Sequence, residues 1–177
     1  MPSSPADLRA RILHEWTAAA PGWRMWEAHI VAFTWPVTQA IVNGLQLREG
    51  SHVLDVGCGI GDPAIALAQA VGPTGVVHAM DPTEEMIDTV RSRAASFNLK
   101  NINFRVAAIE DADFPTGSLD AITGRWSFIF CVDVHAQLAR AREWLKPGGR
   151  IAVAVWTPQE HSPGFEAINR ALNHVID

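Results

Sequence analysis

The feature that most constrains the fold is a short apolar run that ends in three closely spaced glycines, the segment VLDVGCGIGD at residues 53–62. A run of this length predicts a buried strand, and glycines spaced GxGxG let the backbone turn sharply and approach a ligand closely. In open α/β sheets, ligands bind at the carboxyl ends of the strands. The segment therefore predicts the first strand of such a sheet, followed directly by a ligand-binding loop.

After Gly50, short apolar runs alternate with helical stretches, which is the pattern of βαβ units. Strands are predicted at residues 52–56, 75–80, 101–106, 119–123 and 150–156. The first core helix is predicted to follow Asp62, a plausible N-cap, with Pro63 as its first residue. Further helices are predicted from Thr83 to about residue 97, at 133–145 and at 164–175. The predicted fold class is α/β, a Rossmann-like parallel sheet with helices on both faces.

Residues 1–48 predict an N-terminal helical cap in front of a core at residues 49–177. Apolar positions at helical spacing predict three helices, carrying Leu8, Ile12, Trp16 and Ala19; Trp23, Trp26, Ile30 and Phe33; and, beginning at Pro36, Val37, Ala40 and Ile41. Four of the seven tryptophans lie within the first 35 residues. Such residues serve more often as core than as pocket, although a cap over the sheet edge would give apolar walls to a cavity.

Two acidic residues narrow the choice of ligand. The NAD fingerprint is GxGxxG, with a pyrophosphate at the helix N-terminus. Here the helix is expected to open with Asp62, whose negative charge would repel a pyrophosphate. Asp81 ends the second strand about twenty residues after Gly61, the separation at which a carboxylate accepts hydrogen bonds from ribose hydroxyls. An adenosine ligand with a phosphate-free tail is favoured, and S-adenosylmethionine (SAM) is the common cofactor of that description.

Four segments, VLDVGCGIG, HAMDPTEEMI, SLDAITGRWSF and LKPGGRIAVAVW, follow one another in this order between Gly50 and Trp156. In this the chain resembles the class I SAM-dependent methyltransferases, within them the ubiquinone/menaquinone-biosynthesis-like, small-molecule branch. The resemblance implies that the glycine loop contacts the methionine part of SAM and that the acid after the second strand contacts ribose. It also implies that Pro82 and Met86 wall the adenine, that the segment after the third strand caps the adenine edge, and that Arg125 lies near the methionine part. The cofactor-binding residues predicted from spacing and resemblance together are Asp55, Gly57, Cys58, Gly59, Ile60, Gly61, Asp81, Pro82, Met86, Ala108, Ile109, Glu110 and Arg125.

For Asp55 two interpretations stay open: an indirect role near the amino end of the cofactor, or hydrogen bonding to the amides of the loop.

Two departures from the family pattern also matter. Ala108-Ile109 stands where the family often has an acidic or amide residue followed by alanine, so an adenine contact would need Glu110 or Asp111. The family's sixth and seventh strands are also missing. The apolar strand at 150–156 would then be an unpaired edge, which predicts a homo-oligomer through that edge, swapped elements, or part of a longer protein.

The resemblance implies a SAM-dependent methyltransferase that methylates O, N or C of a small, apolar molecule. Two alternatives remain: a SAM-binding module without transferase activity, acting as a partner or regulatory subunit, and an NAD-type oxidoreductase, which GxGxG and Asp62 disfavour. No catalytic residue is predicted, and His14 and His29 on the cap are the best placed of seven histidines.

Bulk properties exclude several classes of partner. A net charge of −5 without a basic patch speaks against nucleic acid, and Cys58 and Cys131 lie in unrelated contexts without metal-ligand spacing. The chain opens without an apolar leader and has no uninterrupted apolar run of about 18 residues. A cytoplasmic protein without membrane insertion or metal is expected.

Overall fold

The computed structural model describes residues 4–158 and residue 161. Within them a five-stranded, fully parallel sheet has the strand order β3-β2-β1-β4-β5. The strands are β1 (His52–Val56), β2 (Val76–Asp81), β3 (Ile102–Val106), β4 (Leu119–Arg125) and β5 (Leu145–Ala154), and the helices are α1 (Pro5–Met25), α2 (Glu27–Leu45), α3 (Ala64–Ala70), α4 (Glu84–Ser96) and α5 (Val134–Trp144). The predicted α/β fold is confirmed.

Alternation along β1 sends neighbouring side chains into two separate cores. Val53 packs with buried residues of α2, α3 and α4 on one face of the sheet, and Leu54 packs with Ala141 and Trp144 of α5 on the other. Both faces are therefore covered by helices, as a parallel sheet requires. Because β2 and β4 flank β1 on opposite sides, the carboxyl end of β1 lies at the switch point where such folds bind ligands.

The cap differs from the prediction, because it contains two helices among the described residues and not three. Pro36 does not begin a helix but lies inside α2, and Pro21 lies inside α1. A proline inside a helix costs about 3 kcal/mol. Burial of Thr38, Ile41 and Leu45 against the core offsets this cost in α2. The chain breaks instead at Trp26, between the two helices.

Two further boundaries were predicted wrongly. Asp62 is not the N-cap of α3, which begins after Pro63, because the Asp62 carboxylate pairs with Arg93 of α4 at 2.9 Å. Strand β5 was predicted to begin at residue 150 but begins at Leu145, directly after α5, because Leu145 already pairs with Leu119 of β4. The register then shifts, and pairing resumes between Ala121 and Arg150.

The predicted helix at 164–175 lies outside the described residues. No helix that the structure describes is both long and apolar enough to cross a membrane.

Candidate functional site

A cavity of about 490 Å³ lies between the cap helix α1 and the carboxyl ends of the strands. This volume is within the range of roughly 300–1,000 Å³ that small-molecule sites occupy. One half is formed by the glycine loop and the residues that follow β2 and β3, and the other half by α1 and the residues that follow β4 and β5. Of the predicted residues, those that line it are Gly57, Cys58, Gly59, Ile60, Asp81, Pro82, Met86, Ala108, Ile109, Glu110 and Arg125.

The glycine loop leaves open space at its centre. Gly59 has a φ of +51°, a left-handed conformation that side chains rarely adopt, and a Cβ placed there would meet no protein atom within 4 Å. Because Gly59 lines the cavity, this space is available to a ligand that approaches the backbone. Gly61, by contrast, does not line the cavity, and a Cβ there would come 2.6 Å from Cγ2 of Val90 on α4.

Asp81 connects the end of β2 to the glycine loop. Its Oδ2 accepts a hydrogen bond from the Gly59 amide at 3.0 Å, and its Oδ1 accepts one from the Thr83 amide at 2.9 Å. Burial raises the pKa of the Asp81 carboxyl above its ordinary value, and these two amide bonds oppose the rise. Each carboxylate oxygen retains a second lone pair, so Asp81 can hold the loop and accept ligand hydroxyl groups together.

Asp55 lies beneath the loop and does not line the cavity. It is fully buried, and neither of its carboxyl oxygens has a hydrogen-bond partner among the described residues. Burial raises the pKa of Asp55 to about 8; the charges of Asp62 and Asp81 add to the rise and that of Arg125 opposes it. The backbone amide of Ala64, just after the loop, also acts against this rise in pKa, so both interpretations of Asp55 stay predictions.

Arg93 on α4 ties the glycine loop to the cap. Its Nη1 donates to the Ile60 carbonyl and lies 2.9 Å from Oδ2 of Asp62, while its Nε lies 2.8 Å from Oε1 of Glu27, the first residue of α2. The Asp62 charge is therefore compensated. Asp62 lines the cavity, and its ion pair with Arg93 reduces the net negative charge that a pyrophosphate would meet there.

The adenine part of the predicted site has apolar walls and two acidic residues that are already engaged. Pro82 and Met86 come from the end of β2 and from α4, and the segment 106–111 after β3 forms the opposite wall. The Glu110 carboxylate accepts a hydrogen bond from the Val132 amide at 3.1 Å, and Asp111 forms an ion pair with Arg9 of the cap.

Arg125 ends β4 and is buried at the edge of the cavity. Its Nη1 donates to Oγ1 of Thr38 on α2 at 3.0 Å, and its guanidinium carbon lies 5.0 Å from the centre of the Trp126 ring. Burial lowers the pKa of Arg125, and the attraction of Asp62 and Asp55 works against this. Arg125 thus fixes the middle of α2 to the end of β4, as Arg93 fixes the first residue of α2 to the glycine loop.

Sequence reasoning missed the aromatic half of the cavity as a site. Trp16, Trp23, Trp126, Phe130 and Trp156 all line it. The crowding of tryptophans in the cap was a signal for the first two. No local signal marked the other three, because their positions depend on where β4 and β5 end.

Several candidate reactive groups are absent from the cavity or inert. Neither His14 nor His29 is among its lining residues. Cys131 does line it, but burial raises the pKa of this thiol to about 12. Within the described part of the chain, no cluster of three histidine, cysteine or acidic residues could hold a metal ion.

Comparison with known proteins gives one consistent result. The sequence profile of the methyltransferase domain family matches residues 53–149. The chain is 38% identical over 122 residues to aklanonic acid methyltransferase DauC of Streptomyces sp. (strain C5), covering 69% of this chain and 56% of that protein. It is 32% identical over 133 residues to the demethylmenaquinone methyltransferase of Symbiobacterium thermophilum, covering 75% and 49% respectively.

The fold has solved relatives as well. A SAM-dependent methyltransferase from Aquifex aeolicus superposes with a TM-score of 0.63 at 26% identity, covering 73% of this chain and 70% of that one. The chain spans about half the length of the curated relatives it matches.

Proposed function

The chain belongs to the methyltransferase domain family, and from this membership we propose that it binds SAM in the cavity and transfers the methyl group to a small, apolar acceptor. SAM-dependent enzymes are among its solved relatives, and the curated relatives carry the names of small-molecule methyltransferases. We also propose a cytoplasmic location, in keeping with the free thiols of Cys58 and Cys131.

The observation that carries the proposal is the open space at Gly59 beside the Asp81 carboxylate. The two are joined by a hydrogen bond of 3.0 Å, so a ligand that lies along the glycine loop reaches the carboxylate directly. The Oγ of Ser127, which has no partner among the described residues, adds a buried hydroxyl next to Gly57 at the start of the loop. Backbone, carboxylate and hydroxyl together suit the polar methionine and ribose parts of SAM.

In this proposal the predicted residues divide according to the part of SAM that each would contact, and Arg125 would lie near the methionine part. Gly57, Cys58, Gly59 and Ile60 would offer backbone groups to the methionine part, and Asp81 would accept hydrogen bonds from the ribose hydroxyls. Pro82, Met86 and Ile109 supply apolar surface for the adenine, and the backbone around Ala108 and Glu110 borders its edge. Asp55 acts, in this proposal, indirectly through the loop above it, and Gly61 acts by seating the loop on α4.

The chemistry asks little of protein side chains. When bound, SAM would supply a methyl group on a sulfonium that is already activated, so that transfer depends on alignment with the acceptor and on exclusion of water. Helix α1 lines one side of the cavity and would contribute to that exclusion. The acidic residues Asp62, Glu110 and Asp111 are held by Arg93, Val132 and Arg9, and no catalytic side chain is assigned.

Calorimetric titration with SAM, S-adenosylhomocysteine and NAD tests the cofactor. Asp81→Ala is expected to weaken SAM binding by about 1.5–3 kcal/mol, tenfold to a hundredfold, the range for lost charge-assisted hydrogen bonds. Asp88→Ala is the matched control, because Asp88 is an exposed acid on α4 away from the cavity. Binding of NAD in place of SAM, or equal SAM affinity in the two variants, would contradict the assignment.

A further inference from the structure

A second cavity lies on the face of the sheet that carries α5, towards the β3 edge. It has a volume of about 240 Å³ and is bordered by β1, β2, β3 and the connection from β3 to β4. On this face α5 packs with Leu54 of β1 and Ile122 of β4. The connection at residues 107–118 contains a single 3-10 turn, Ile109–Asp111. The face over β2 and β3 is therefore left to a loop, and a cavity remains beneath it.

The register of the strands sets the floor of this second cavity. Leu54, His78 and Asn103 are partners across β1, β2 and β3, and Met80 is the partner of Arg105 in the next row on the same face. Neighbouring strands lie about 4.8 Å apart, so the side chains of each row adjoin. Leu54 and Met80 are buried, whereas Asn103 and Arg105 are exposed. The floor thus changes from apolar at β1 to hydrogen-bonding at the β3 edge.

Phe114 of the loop supplies an aromatic ring to the cavity, and three neighbours hold it. The ring meets the His78 ring edge to face at 5.1 Å and lies 5.4 Å from the Trp144 ring of α5. The guanidinium carbon of Arg105 lies 5.9 Å from the centre of the Phe114 ring, within reach of cation–π attraction. These contacts join the loop to the floor and keep the Arg105 charge beside an apolar surface.

The polar side chains of the second cavity are not used by the protein itself. Among the described residues, those of His78, Asn103 and Arg105 form no hydrogen bond or ion pair. Burial lowers the pKa of His78, and the charges of His52 and Arg105 act in the same direction, so neutral His78 keeps one donor and one acceptor. Asp113, which is exposed, is the acid among the lining residues.

From this arrangement we infer that the second cavity binds a small carboxylic acid with a compact apolar body. The carboxylate would lie at the β3 edge, where the planar guanidinium of Arg105 offers two parallel N–H donors and Asn103 offers a third. The apolar body would lie over Leu54 and Met80, beside the Phe114 ring. The inference is independent of the proposed function, because the two cavities share no lining residue in the part of the chain that the structure describes.

The test titrates benzoate into isotope-labelled protein and follows the His78 ring and the Asn103 side-chain amide by NMR, so that binding is located in this cavity. Benzamide has the same shape without the charge. We expect the wild-type protein to bind benzoate with a dissociation constant of about 10 mM or lower and benzamide about fivefold more weakly. Arg105→Met is expected to weaken benzoate binding about tenfold or more, as lost charge-assisted hydrogen bonds do, and to remove the preference over benzamide.

Asp113→Asn should strengthen benzoate binding about twofold to fivefold, because it removes an exposed like charge. Weaker binding by this variant would indicate a site for a ligand that also carries a cation and would overturn the inference. Arg142→Met is the matched control, because Arg142 is an exposed arginine of α5 that lines neither cavity, and it should bind as the wild-type protein does. Asn103→Leu, which should also weaken binding, repeats the test if Arg105→Met does not fold. Absence of a saturable shift in the two signals, equal affinity for benzoate and benzamide, or wild-type affinity in the folded variant would contradict the assignment of this cavity.

Discussion

Replacement of Arg93 by methionine should destabilise the protein more than removal of any surface ion pair. The side chain of Arg93 is 11% exposed and that of Asp62 is 6% exposed, so the substitution leaves a carboxylate without its partner in a site that water hardly reaches. Breaking a buried pair from one side costs about 3–5 kcal/mol. The Glu27 carboxylate is 37% exposed and adds less than about 1 kcal/mol. We expect a loss of about 3–4 kcal/mol, a large share of the roughly 5–15 kcal/mol that stabilises a typical domain.

Urea unfolding followed by circular dichroism measures this loss. The matched control is Arg91→Met on the same helix, because Arg91 pairs with Asp88 and both side chains are more than half exposed; we expect a loss below about 1 kcal/mol. Adding Asp62→Asn to Arg93→Met removes the stranded charge and should restore part of the stability. If Arg93→Met costs no more than Arg91→Met, the charge of Asp62 does not depend on Arg93 and the argument fails.

Three further predictions concern the pH response, the glycine loop and the sheet edge. The pKa of Asp55 is raised to about 8 from 3.8, so its contribution to stability is complete below about pH 4 and is lost as the pH rises towards 8. Asp55→Asn should therefore flatten the dependence of the unfolding temperature on pH between pH 5 and 9. An unchanged dependence would show that Asp55 ionises as an exposed acid does. Gly59→Val should abolish SAM binding while the far-UV circular dichroism spectrum is preserved. Gly117→Val is the control, because Gly117 has a similar φ of +66° and equally open surroundings but lies outside the cavity, and this variant should bind SAM normally. SAM binding by both variants would place the cofactor elsewhere. Strand β5 has no partner on its outer side among the described residues, so we expect self-association in light scattering at micromolar concentration, and a monomer whose β5 amides exchange slowly would contradict this.

The sequence predicted those parts of the fold that depend on local pattern. Strand β1 has the predicted bounds, and α4 begins next to Thr83 as predicted, because an apolar run and the acidic residues of a first helical turn act over a few positions. The break at Trp26 and the early start of β5 depend on packing against elements distant in the chain, and neither Pro36 nor the turn at 146–149 reveals that packing. Local propensity at these places is outweighed by tertiary contacts.

The same distinction applies to the candidate site. Gly59 and Asp81 could be predicted because the loop and the carboxylate are fixed by their spacing after two strands. Trp126, Phe130 and Trp156 could not, since no spacing rule relates three residues that meet only where α1, β4 and β5 come together. The compensation of Asp62 by Arg93, thirty-one residues away, was invisible for the same reason.

The division of the cavity between stretches of the chain has a consequence for how such a protein could diversify. The glycine-loop side is built from a continuous central stretch, residues 56–111, whereas the aromatic side is built from α1 and from residues after the end of β4. Helix α1, however, also packs through Trp16 and Trp23 against Ile60 of the glycine loop and Met86 of α4, so a change in α1 acts on both sides of the cavity at once. Exchange of α1 between relatives would therefore alter the seat of the glycine loop together with the lining of the aromatic side, and the two would have to be matched in any new combination.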